Sequence, residues 1–401
     1  MMKKKILIAS FDLAIGGVER SLIGLLNSID YTKYDVDLML FKHEGEFLPL
    51  LPEGPRLLNE VAEYTTFRKS IKQVMQQRAF PILFSRLFAR CAGALHGRLV
   101  GSAEPGYYII QYGWKFALPY LPKLKGEYDT AISFLWPHYF VAEKVKAKKK
   151  IGWIHTDYST ITVNQAEETK MWERMDHLVA VSNGCRDSFL SVYPHFQDRL
   201  EVIENILTPE FIYEQAQLSE LPKLTKRPNE TVLVTVGRLS HAKGIDDAAR
   251  ACRKIVDEGY QVKWYIVGYG PLESELKRLI DELNINEHFI LLGKKTNPYP
   301  FINACDIYVQ PSRYEGKAVT VREAQILEKP VLITDFPTAK SQLEDGIDGV
   351  ITQQGVEGVT EGIIQLINNQ QKVASLRENT KRRSYGNAKE VEKLYELIEM
   401  A

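Results

Sequence analysis

Three short stretches carry side chains that could do chemistry on a charged small molecule. In VGRLSHAKGID, Arg238 and Lys243 follow an apolar, β-branched run and precede a segment of helical period. Two cations at the carboxyl end of a parallel strand suit a diphosphate, the guanidinium bonding bidentately and the ammonium acting as a point charge. In QPSRYEGKAVTVREAQILEKPV, Glu315 and Glu323 stand with seven residues between them. Glu315, with Gly316, falls in the loop after a strand, and Glu323 falls inside the next helix, so each could face one crevice. A glycoside hydrolase would also need two such carboxyl groups, as acid and as base or nucleophile. In AIGGVERSL, Gly16 and Gly17 separate the first strand from its helix, where the missing β-carbon lets a ligand approach the backbone and a helix amino terminus favours anions. His155 ends the run IGWIH. Each feature also has a plainer reading: a solvated loop for the cations, a tight turn for the glycines, a hydrogen-bonded strand-end ring for His155.

The elements that must hold these residues are legible as alternating runs. KKILIAS (4–10), DVDLMLF (35–41), DTAISF (129–134), KKIGWIH (149–155) and HLVAVS (177–182) are short and apolar, and helix-period segments such as 18–29 and 184–192 lie between them. That alternation predicts βαβ units in a doubly wound parallel sheet. It restarts at ETVLVTVGRL (230–239) and continues through QVKWYIVG, HFILLG, DIYVQPS and PVLITD. Two α/β domains are therefore expected, over 1–205 and 231–385, with 206–230 as a linker because LSELPKLTKRPNE is polar, proline-bearing and aperiodic. Residues 386–401 should form an amphipathic helix, since Val391, Leu394, Tyr395 and Ile398 recur at helical spacing. A chain of 401 residues is long enough for two cores. Its 51 Lys+Arg balance 51 Asp+Glu, so no global field favours nucleic acid, and the four scattered cysteines suggest neither a metal site nor a disulfide framework. The opening MMKKKILIAS reads as a strand rather than a signal peptide because Asp12 cuts the apolar run, and Arg86, Arg90 and Arg98 interrupt the best candidate for a membrane span.

Taken in order, GGVER, His155 in IGWIHTDYS, VAVSNG, VGRLSHAKG, IVGYGP, LLG, and CDIYVQPSRYEG with EAQ and KPV resemble the retaining glycosyltransferases of the GT-B fold, family 4, over nearly the whole chain. The stretch EGKAVTVREAQILEKPVLITDFPTAKSQ, with Lys317-Ala318 where many members have Phe-Gly, further resembles enzymes of bacterial capsule, exopolysaccharide and wall-polymer synthesis. The resemblance implies two Rossmann-like domains facing an interdomain cleft that closes on donor, with the last helix crossing back to the N-terminal domain. It implies that Arg238 and Lys243 hold the donor diphosphate and that Glu323 accepts from the ribose hydroxyls. Glu315, with the N–H groups of Gly316, Lys317 and Ala318, would bind the donor sugar. Gly17, beside Gly16, would approach the phosphate from the other domain, His155 would lie near the sugar's hydroxymethyl group, and Lys294 would meet the base. His155, Glu315, Arg238 and Lys243 form the expected catalytic set.

The expected reaction is transfer of a hexose or N-acetylhexosamine from a nucleoside-diphosphate sugar, UDP foremost, to a glycan or polyprenyl-linked acceptor, with retention. Fixed cations and N–H groups rather than a metal would stabilise the leaving diphosphate, and no cofactor is expected. A sugar-nucleotide epimerase or hydrolase of the same fold, or a non-catalytic nucleotide-sugar-binding protein, would share such a donor site. A dehydrogenase is disfavoured because no GxGxxG follows either first strand.

Between Tyr64 and Ala103 the chain has no acidic residue but carries Arg68, Lys69, Lys72, Arg78, Arg86, Arg90 and Arg98, interleaved with Phe80, Phe84, Leu87, Phe88 and Leu95. Such a stretch suits an anionic bilayer surface, so residues 68–98 are a candidate docking segment and the expected location is cytoplasmic, peripheral at the inner face of the cell membrane. An ordinary helical face packed on the first sheet is the alternative.

Overall fold

The computed structural model describes the chain except residues 1–2, 15, 101–105, 159–160, 219–223, 225–226, 228, 316–317 and 401. It divides into two compact units, Met1–Ile206 with Ala388–Ala401, and Leu207–Asn387.

The first unit is built on a seven-stranded, all-parallel sheet. Its strands are β1 (Lys4–Ser10), β2 (Tyr34–Leu40), β3 (Arg56–Leu57), β4 (Glu127–Ser133), β5 (Lys146–Ile154), β6 (His177–Ala180) and β7 (Leu200–Val202), in the order β3-β2-β1-β4-β5-β6-β7. Ile6, Leu7 and Ile8 are all buried, as expected of a strand covered on both faces, and Ile6 is flanked by Val36 on one side and Thr130 on the other. The direction of winding reverses between β1 and β4, the place where open α/β sheets leave a crevice at their carboxyl ends. The helix Glu390–Glu399 belongs to this unit: Tyr395 stacks on Tyr34 with centroids 4.8 Å apart, and Lys149 Nζ donates to Leu397 O at 2.7 Å.

The basic segment folds as the short helix Ile71–Gln76 and the long helix Phe80–Leu99, the latter paired with Gly106–Ala117. Gly93 permits that pairing, because a β-carbon there would press on the Ile109 backbone. Not all of its cations are surface charges. Arg68 pairs with buried Asp12 at 2.7 Å, and Arg86 turns inward to the carbonyls of Thr66 and Lys69. Arg78, Arg90 and Arg98 are exposed, and beside them Phe80, Phe84, Leu87, Phe88, Leu95 and Leu99 leave an apolar stripe uncovered, Phe88 being 67% exposed. Among the described residues no helix is long and apolar enough to cross a membrane.

The second unit repeats the design with six parallel strands: β8 (Thr231–Val236), β9 (Val262–Val267), β10 (Phe289–Gly293), β11 (Ile307–Gln310), β12 (Val331–Thr334) and β13 (Val350–Thr352). Their order is β10-β9-β8-β11-β12-β13, so its winding reverses between β8 and β11. The expected linker over 206–230 is in part structured. Pro209–Gln217 is a helix whose Ile212 and Ala216 are buried in this unit's core, with Phe211 edge-on to Tyr299. The prolines that mark the linker in the sequence are Pro222 and Pro228, whereas Pro209 takes the first position of this helix, where proline is well tolerated.

Candidate functional site

The loops after β8 and β11 leave the sheet at its switch point, and they carry the cations and the first carboxylate. Lys243 ends a single 3₁₀ turn, His241–Lys243, and Gly244 follows with φ +61, a conformation that only glycine takes without strain. A β-carbon at 244 would also run into the Pro311 carbonyl. Glycine there lets the two loops touch. Arg313 then ties them. Its guanidinium grips both oxygens of Asp246 at 2.8 Å and donates to His241 O at 2.9 Å, while its own N–H donates to Ala242 O at 2.8 Å. Burial works against the Asp246 carboxylate, but Arg313 outweighs it and holds the pKa below the ordinary value.

This brace brings Lys243 Nζ to 2.5 Å from Glu315 Oε1. Ser312 Oγ donates to the same oxygen at 2.6 Å and Gln310 Nε2 at 3.1 Å. Gln310 is itself buried and oriented by Tyr308 OH and Thr320 Oγ1, which both donate to its Oε1. Behind the loop, Thr338 Oγ1 donates to Glu315 O. The result is a Glu315 side chain 7% exposed, locked to a Lys243 side chain 23% exposed. Arg238 lies on the same β8 loop and is exposed.

Glu323 is fully buried on the helix Val319–Ile326 and accepts from Tyr299 OH at 3.0 Å. Lys294, just past β10, places its ammonium 5.3 Å from the centre of the Tyr269 ring, which is half exposed. Gly316 and Lys317 lie outside the described residues. The N–H of Ala318, expected at the sugar, is engaged by Gln342 Oε1 at 3.1 Å and would need release to serve a ligand. Tyr308, Gln310, Ser312, Tyr299, Thr338, Gln342 and Arg313 were not foreseen. The one signal was a polar Gln310 closing the otherwise apolar run IYVQ.

In the first unit, Gly16 and Gly17 begin the helix Gly17–Ser28, and a β-carbon at Gly17 would meet nothing within 4 Å. Beside Gly16 sits the carboxylate of Glu19, so the helix's own side chain holds the position where an anion was expected. His155 follows β5. Burial pushes its imidazole down to about 3, so the ring is neutral at physiological pH and poorly matched to general-base work. His138, unforeseen, follows β4 at this unit's switch point and is also pushed down to about 3 by burial, with the neighbouring His155 adding to the effect. The one D-x-D spelling that bears on metal binding, Asp35-Val36-Asp37, falls in β2, where Asp37 is buried and bonded to both Arg56 and Tyr128.

With this geometry established, known proteins give it a context. Residues 217–383, nearly all of the second unit, match the family model described as Glycosyl transferases group 1. The chain is 30% identical over 213 residues to the capsular polysaccharide biosynthesis glycosyltransferase CapM of Staphylococcus aureus, covering 51% of this chain and 52% of that protein. It is 27% identical over 169 residues to a poly(ribitol-phosphate) alpha-N-acetylglucosaminyltransferase of Staphylococcus aureus (strain COL), covering 42% of this chain and 33% of that one. The matches thus span about half or less of these relatives' lengths. Among solved structures, a S. aureus TarM variant in complex with Fondaparinux, alpha-GlcNAc-glycerol and UDP superposes with a TM-score of 0.67 at 16% identity, covering 99% of this chain and 100% of that one. The chain therefore has the GT-B fold, and residues 217–383 of its second unit resemble the group 1 glycosyl transferases.

Proposed function

We propose that this chain is a retaining glycosyltransferase of family 4 that moves a hexose or N-acetylhexosamine from a nucleoside-diphosphate sugar, UDP foremost, to a glycan or polyprenyl-linked acceptor in cell-surface polysaccharide synthesis. The observation that carries the reading is the Lys243–Glu315 pair with Arg238 at the switch point of the second sheet, inside the matched domain. In this reading Arg238 and Lys243 bind the diphosphate and stabilise the charge that develops as it leaves, Lys243 from a loop already tied by the Arg313 brace. Glu315 takes a donor-sugar hydroxyl, Glu323 the ribose, and Lys294 with Tyr269 the base. Gly16 and Gly17 with His155 supply the first unit's share, His155 as a neutral ring. No metal is called on, because fixed cations supply the charge.

The basic, apolar-striped helix Phe80–Leu99 is the surface that would meet an anionic membrane at the cytoplasmic face, where a lipid-linked acceptor is presented. The test is donor turnover. Common UDP-, GDP- and ADP-sugars are screened by thermal shift, the stabilising one is offered with a lipid-linked acceptor, and the anomeric configuration of the product is read by NMR with and without EDTA. Inversion would overturn retention, and loss of turnover in EDTA restored by Mn²⁺ would overturn the metal-free mechanism. Product formed from donor alone would make the chain an epimerase or hydrolase.

A further inference from the structure

Four buried ring nitrogens belong to residues lining one small cavity in the first unit. The cavity, of about 20 Å³, lies past the ends of β4 and β5, and its walls include Trp136, His138, Trp153, His155, Tyr158 and Trp172. His138 Nε2, His155 Nε2, Trp153 Nε1 and Trp172 Nε1 are each shut off from solvent and meet no hydrogen-bond partner among the described residues. Native cores leave few polar atoms in that condition, so four around one cavity call for a shared partner. A cavity of this size holds one water, which needs about 10–15 Å³.

The hydrogen-bonding roles are complementary as well. An indole N–H can only donate. His138 Nδ1 lies 2.8 Å from Ser133 Oγ, and the Ser133 and Phe134 backbones bond His138 and His155 respectively in the sense that favours a ring proton. With the proton of each neutral ring drawn to Nδ1, each Nε2 is left as an acceptor. Two donors and two acceptors around one small volume are what a water molecule requires. Glu168, buried and raised in pKa first by that burial, is the charged group nearby. It accepts from Trp136 Nε1 at 2.6 Å and from Tyr158 OH at 3.1 Å, and the Trp172 indole lies near it without making a hydrogen bond to it.

We propose that this cavity binds a single water that donates to His138 Nε2 and His155 Nε2 and accepts from the indole N–H groups of Trp153 and Trp172, making His138 a positioning residue that fixes the ring of His155. The role of His155 at a donor sugar rests on the function proposed above. The water site does not. The experiment uses the full chain with nitrogen-labelled histidine, reading tautomers by long-range proton–nitrogen correlation, beside His138→Phe and His138→Gln. The expected result is Nε2 unprotonated on both rings at neutral pH, a changed His155 Nε2 resonance in His138→Phe, and its restoration in His138→Gln, whose carbonyl can accept from the water. Sugar-transfer kcat should fall in His138→Phe and recover in His138→Gln with UDP affinity unchanged in both. A proton on either Nε2, or a His155 signal indifferent to His138→Phe, overturns the proposal. If His138→Phe does not fold, the wild-type tautomers decide. Correct tautomers in a protein that transfers no sugar would sink the proposed function and leave the water site standing.

Discussion

Removing Lys243 should cost stability as well as ligand binding, and the size of the cost follows from the site. Glu315 is 7% exposed and gathers Lys243, Ser312 and Gln310 on one oxygen. In Lys243→Ala the carboxylate keeps two neutral donors but loses its counter-charge where water cannot replace it. Breaking a buried pair from one side costs about 3–5 kcal/mol, and because the ammonium is partly exposed the lower end applies, about 3 kcal/mol. For a unit of this size that lowers Tm by roughly 6–12 °C. Arg238→Ala, at an exposed position on the same loop, should change stability by no more than about 0.5 kcal/mol. Both variants should weaken UDP binding. Urea titration and calorimetry of Lys243→Met, Glu315→Gln and the double variant, beside Lys243→Ala and Arg238→Ala, give a cycle in which the double variant recovers most of the loss, since neither partner is left charged and alone. Lys243→Ala melting with the wild type, or the double variant falling by the sum of the singles, would refute the account of Lys243 as the counter-ion of a buried carboxylate.

The two glutamates should separate by role: Glu323→Gln weakens binding of UDP itself, by about 1.5–3 kcal/mol for a charge-assisted contact, whereas Glu315→Gln spares UDP and lowers turnover of the UDP-sugar. Equal loss of UDP affinity in both, by calorimetry, contradicts the division. Acid stability should report His138 and His155, whose ordinary value of 6.5 falls to about 3 in the fold. Between these values the unfolded chain takes up protons that the fold refuses, so stability is full above 6.5 and is lost toward 3, at up to about 1.4 kcal/mol per pH unit per ring. His138→Gln should flatten that slope in urea titrations, and an unchanged slope argues against a neutral buried ring. Binding to anionic vesicles should fail for Arg78→Glu, Arg90→Glu, Arg98→Glu and weaken as the Debye length shrinks from about 10 Å at 0.1 M salt to about 3 Å at 1 M. Cosedimentation indifferent to charge, salt and these substitutions would reduce the helix to an ordinary packed face.

The strands were legible because a parallel sheet demands apolar residues on both faces, and KKILIAS maps onto β1 without shift. Lys243 and Glu315 were legible as loop residues after strands, but their contact spans 72 positions and exists only through the β8–β11 pairing and the Arg313 fork. Arg313 has no local mark in the sequence, where nothing distinguishes a brace from a solvated side chain. The same limit hid Arg86: helical period placed it among basic residues, and only the tertiary approach of the Thr66 and Lys69 carbonyls turns it inward. His138 had no motif about it, being defined by what surrounds it.

The helix Glu390–Glu399 lies in the piece Ala388–Ala401 of a unit whose remaining residues precede Leu207, so the second unit is, in chain order, an insertion between two parts of the first. During synthesis the continuous segment Leu207–Asn387 can finish folding as soon as it emerges, whereas the seven-stranded sheet must wait, its Tyr34 face uncovered, for nearly two hundred further residues before Tyr395 arrives. The earlier-made domain is therefore the later one to mature.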